Sequence, residues 1–126
     1  MQLLLALSAA SGFSAVALGA FGAHGLRKKL ADAPDGARRM DWWQTGASYH
    51  LAHALAIGLA ALLHERIPGS LPDAAAWAFV AGILLFSGSL YVMTVTGIRA
   101  LGAVTPIGGL GFLVGWGCLF WAALRG

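Results

Sequence analysis

Residues 74–95 read AAAWAFVAGILLFSGSLYVMTV, a run with no Asp, Glu, Lys or Arg. A helix needs about 20 apolar residues to cross a hydrocarbon core about 30 Å thick, and this run is long enough. Three further stretches, Leu3–Ala23, Thr45–Leu63 and Pro106–Leu124, are equally free of charge. The sequence therefore predicts an all-α membrane protein. Its single four-helix transmembrane domain fills residues 1–126, with spans at about 3–24, 44–64, 74–96 and 105–124. With 59% hydrophobic and 10% charged residues, the chain lies outside soluble-domain usage and leaves no room for a soluble domain.

The charges sit in the gaps. Arg27, Lys28, Lys29, Arg38 and Arg39 fall between spans one and two, and Arg99 falls between spans three and four. Only Arg66 and Arg125 lie on the other side. Basic residues collect in cytoplasmic loops, so the expectation is an up-down antiparallel bundle with both termini outside the cytoplasm. Met1-Gln2 gives the first span no basic n-region, and its length exceeds a signal-peptide core, so it is expected to be retained. Nucleic-acid binding would need a basic face on a soluble module. The basic cluster instead marks topology or a contact with anionic lipid on the cytoplasmic side. Cys118, the only cysteine, lies within the fourth span and reads as a small packing residue.

Short connections favour sequential neighbours. Leu26–Leu30 is expected to prolong helix one, and Ala33-Pro34-Asp35-Gly36 reads as a turn. Asp41 and Asp73 are expected to cap helices two and three, and Thr105 to cap helix four with Pro106 next to it. Trp42, Trp43, Trp77 and Trp121 are assigned to the interfaces. Gly19, Gly22 and Gly25 recur on one side of helix one, and Gly111 and Gly115 form a small-xxx-small pair in helix four. Such residues let a neighbour approach closely, and for the pair in helix four that neighbour is helix one or another subunit.

Polar side chains within lipid need partners inside the protein. An up-and-down fold gathers His24, His50, His53, Tyr91, Arg99 and Thr105 on the cytoplasmic side, which predicts a polar cluster open toward the cytoplasm. His50 and His53 stand one turn apart, so both rings could reach one neighbour. Such a pair could serve a metal or haem with His24 as a third ligand, a small ligand or a proton, or helix packing through Tyr91, Thr94 or backbone carbonyls. Packing is the leading reading, and no metal or cofactor is assigned. Tyr49 is expected to lie off the histidine face as an interfacial anchor. Arg99 beside the start of helix four could attract an anion. The spans hold no carboxylate, and the serines of helix one stand apart from any acid, so an enzyme is not expected.

Gly19-Ala20-Phe21-Gly22-Ala23-His24-Gly25-Leu26, Trp43-Gln44-Thr45-Gly46 and Tyr49-His50-Leu51-Ala52-His53 occur in order. Phe86-Ser87-Gly88-Ser89-Leu90-Tyr91, Thr105-Pro106-Ile107-Gly108-Gly109 and Gly115-Trp116 follow. This ordered set resembles the family "domain of unknown function 423", related to the eukaryotic transmembrane protein 256. The resemblance covers essentially the whole chain. It implies a four-helix protein of the bacterial inner membrane with no cleaved signal, and carries no established biochemical role. Two functions are therefore expected in turn. The first is a structural or accessory bundle that forms a homo-oligomer or docks to a larger membrane complex. The alternative is a small-solute or lipid-binding or transport protein that uses the polar cluster.

Overall fold

A computed structural model describes all residues, Met1 to Gly126. Four helices are long and apolar enough to cross a membrane: α1 (Gln2–Leu30), α2 (Gly36–His64), α3 (Leu71–Thr96) and α4 (Thr105–Arg125). A short 3-10 turn, Arg99–Ala103, leads into α4. The extension of α1 through Leu30 agrees with the sequence reading. Helix α2 does not: it begins at Gly36, well before residue 44, so Asp41 lies inside the helix. The other caps also differ. Ser70 and Val104 precede α3 and α4, no helix has a side-chain N-cap bond, and Thr105 is itself helical. Asp73 instead accepts a 2.7 Å hydrogen bond from His64 Nδ1 across the α2–α3 connection.

Arg39 explains the early start of α2. Its guanidinium donates to the carbonyls of Thr94 (2.7 Å) and Val95 (2.9 Å) at the end of α3 and lies 3.6 Å from Asp35. A cation suits the carbonyl-rich C-terminus of a helix. Thr94 Oγ1 returns a 3.0 Å bond to the Arg39 carbonyl. Gly97, at φ 73°, then ends α3 in the left-handed conformation that glycine adopts without cost. Arg39 is thus a clamp between two helices as well as a topology charge.

The helices pack in sequence, α1 on α2, α2 on α3 and α3 on α4. The main core is built from small residues, with Ala56, Ala60 and Ala61 of α2 against Ala75, Ala76 and Phe79 of α3, all essentially buried. Small side chains allow the backbone proximity on which helix packing in lipid depends. The α3–α4 seam is tight. A Cβ on Gly108 would collide with the Phe86 backbone, one on Gly111 would lie 3.2 Å from the Ala78 carbonyl, and one on Gly115 would enter the Phe79 ring. Gly111 and Gly115 therefore serve α3, rather than helix one or another subunit.

Helix α1 is attached differently. It rests almost wholly on α2, through the bonds Ser8 Oγ to Ala54 O (2.8 Å), Ser11 with His50 (3.1 Å) and Trp43 Nε1 to Leu18 O (2.8 Å). Trp43 is only 4% exposed and covers Gly22, so it is a core residue and not the interfacial anchor expected. Gly22 is also the only member of the glycine series in α1 that packs against another helix. Gly19 faces open space, and Gly25 faces Phe21 of its own helix. Segments Gly22–Leu26 of α1 and Ile83–Ser87 of α3 are wound as wider π turns.

Candidate functional site

Because α1 leans on α2 and scarcely meets α3, a cleft of about 390 Å³ remains between α1 and α3. Ser11, Ser14 and Leu18 form one wall, Ile83, Leu84, Gly88 and Tyr91 the other, and His50 with Ile57 the floor. The lining is chiefly apolar. Leu84 is 69% exposed at the rim, so the cleft opens sideways, toward the region that acyl chains occupy around a spanning helix. The lining is thus largely apolar where the sequence leads one to expect a polar cluster.

The polar atoms in the cleft form one chain. Tyr91 Oη lies 2.9 Å from His50 Nδ1, and His50 Nε2 lies 3.1 Å from Ser11 Oγ. One residue comes from each of three helices. His50 is 6% exposed and its ring has a partner at both nitrogens. Ser14, also at the cleft, spends its hydroxyl on the Ala10 carbonyl of its own helix at 2.8 Å. A neutral imidazole is donor at one nitrogen and acceptor at the other, so the chain can run in either direction.

His53 belongs elsewhere. Its Nδ1 donates to the Tyr49 carbonyl (2.8 Å), and its Nε2 accepts from Trp116 Nε1 (3.1 Å). Phe112 stacks on the ring with centroids 3.6 Å apart, and Tyr49 lies parallel on the same helix at 5.9 Å. The two histidines thus serve different neighbours of α2, and the expectation that they share one neighbour fails. Residues three apart on a helix differ by about 60° in azimuth, enough to send His50 toward α1 and His53 toward α4. Tyr49, expected off the histidine face, packs beside His53, Phe86 and Phe112.

The rest of the expected cluster disperses. Thr105 bonds Ser89 at 2.6 Å and joins α4 to α3. His24 and Arg99 are exposed, Arg99 in a shallow recess with Arg38 and Asp35. No group of three His, Cys, Asp or Glu side chains converges. Of the residues proposed from sequence, the structure joins only His50 and Tyr91. Sequence reasoning missed Ser11, Ser14 and Gly88. Ser8, Ser11 and Ser14 recur every third residue, and that spacing was the available signal for a polar seam on α1.

The fold and this cleft define a class: a small protein of four candidate membrane spans with a polar chain set between three of them. The family described as "Protein of unknown function (DUF423)" matches residues 18–109. The chain is 42% identical to the UPF0382 membrane protein YwdK of Bacillus subtilis, over 99% of this chain and 98% of that protein. It is 44% identical to the UPF0382 inner membrane protein YgdD of Escherichia coli K12, over 98% and 91% of the two chains. A UPF0382 membrane protein of Staphylococcus epidermidis is 38% identical over 99% of this chain. The chain belongs to the DUF423 family of membrane proteins. No solved structure matches it.

Proposed function

We infer that this protein binds an apolar molecule dissolved in the bilayer, held in the lateral cleft between α1 and α3. The observation that carries this is the cleft itself. Its volume falls in the range of small-molecule sites, and its apolar lining with a few converging polar atoms has their usual composition. Solvent-filled sites in membranes open to water, whereas this one opens where hydrocarbon lies. The role is binding rather than catalysis.

The orientation supporting this reading is up-and-down, with both termini outside the cytoplasm and the Arg27–Arg39 region inside. The seam bonds 8 to 54, 11 to 50 and 18 to 43 run in opposite senses along α1 and α2, which supports the antiparallel reading. Arg38 and Arg99 then face anionic headgroups at the cytoplasmic surface. A second reading, an accessory bundle that oligomerises or docks to a larger complex, draws on α1. A Cβ added at Gly12 or Gly19 would meet no heavy atom within 4 Å, which leaves room for another helix.

Photolabelling with a diazirine-bearing hydrocarbon in native membranes tests the binding reading. Adducts should concentrate on Leu84 and other cleft residues and disappear in Gly88→Leu. Labelling spread evenly over all lipid-facing residues would refute it.

A further inference from the structure

The hydrogen-bond chain at the base of the cleft specifies more than an apolar occupant. In one tautomer Tyr91 donates to His50 Nδ1, and His50 Nε2–H donates to Ser11; the Ser11 O–H is then unspent. In the other, Ser11 donates to Nε2 and Nδ1–H donates to Tyr91, leaving the Tyr91 O–H unspent. Neither hydroxyl has a second partner in the protein, and both residues line the cleft. Either way the cleft receives one free O–H donor. Away from water such a donor is costly unless it meets an acceptor.

Depth narrows the source of that acceptor. Ser11 lies two residues from the centre of the stretch 3–23, about 3 Å along the helix axis. Phospholipid ester carbonyls and fatty-acid headgroups lie near the edge of the hydrocarbon, about 15 Å from the midplane. A group that reaches Ser11 within the cleft must belong to a molecule with no strongly hydrated headgroup. We propose that the cleft binds an uncharged ring carbonyl carried on a hydrocarbon tail, the chemistry of isoprenoid quinones, with the Ser11–His50–Tyr91 chain donating to the carbonyl oxygen. This rests on the binding reading above. The histidine supplies adaptability: by exchanging tautomers it lets the donor appear at either end of the chain, to meet a carbonyl at either position.

The test is equilibrium binding to purified protein in lipid nanodiscs, using decyl-benzoquinone and decylbenzene as paired probes of equal tail length. The wild type should bind the quinone about tenfold more tightly, the preference that one hydrogen bond confers. The triple variant Ser11→Ala, His50→Leu, Tyr91→Phe should bind both probes alike. Its three polar groups leave together, so no orphan remains to unfold it, and helix content by circular dichroism confirms its fold. Gly88→Leu should exclude both probes and so locate them in the cleft. Equal binding of the two probes by the wild type, or a quinone preference surviving in the triple variant, would overturn the carbonyl assignment while leaving an apolar cleft. Failure of the wild type to bind either probe would overturn both.

Discussion

Replacing Gly108 with alanine probes the α3–α4 seam at its closest approach. The added Cβ would stand 2.7 Å from Phe86 Cα and nearer still to the Phe86 nitrogen. Ordinary carbon contacts lie at about 3.5–4.0 Å, and backbone on both sides cannot rotate away, so the helices must part by about 1 Å. A gap of that size forfeits about a quarter to a half of the dispersion energy of each contact across it. Overpacking of this kind costs about 1–3 kcal/mol. Because the added Cβ meets backbone rather than a side chain that can move aside, the upper end applies: about 3 kcal/mol, or roughly 100-fold in the unfolding equilibrium. Gly117, on the same helix, is the control. It has nothing within 4 Å of an added Cβ, and alanine there should stabilise by about 0.5–1 kcal/mol through lost unfolded-state freedom. Circular dichroism during SDS titration in dodecylmaltoside micelles measures both. Shifts of opposite sign are expected. A Gly108→Ala protein as stable as the wild type would refute the packing described for this seam.

Arg39→Gln should destabilise by about 2 kcal/mol, the usual range for hydrogen bonds from a charged group, with faster amide exchange near Thr94–Ile98, measured by hydrogen–deuterium exchange. Trp43→Phe removes the donor to the Leu18 carbonyl and should cost about 1 kcal/mol. Gly22→Ala should cost more, because its Cβ occupies the space of the Trp43 indole; comparing the two denaturation midpoints checks the order. In a Cys118→Ala background, an impermeant maleimide should label Ser70→Cys on intact cells and Ala33→Cys only after permeabilisation; the reverse pattern would invert the topology.

The spans were legible because the signal is simple: long runs without charge, separated by basic gaps. The helix starts were not. Asp41 and Thr105 look like caps in isolation, but Arg39 gains more by reaching the end of α3, which draws α2 back to Gly36, and Thr105 bonds Ser89 from inside its helix. Depth along the spans could be counted from sequence, whereas direction around them could not. His50 and His53 were placed near the same level, yet which neighbour each ring meets depends on where α1 and α4 sit about α2. The cleft was hidden for the same reason. It exists because α1 packs almost wholly on α2, and a run such as Leu3–Ala23 does not state how many neighbours its helix will have. Gly88 carries no sequence mark of its role: its conspicuous companions, Gly108 and Gly115, close an interface, while Gly88 leaves one open.

Native mass spectrometry of the protein released gently from its own membrane, compared between wild type and Gly88→Leu, tests the central claim most directly. A Cβ at residue 88 would meet nothing nearer than the Ile83 carbonyl at 3.9 Å, so leucine there should fill the cleft without disturbing the fold. The account predicts an apolar molecule of defined mass bound to the wild type and absent from the variant. A wild-type protein that emerges bare, or a variant that keeps the same bound mass, would contradict it.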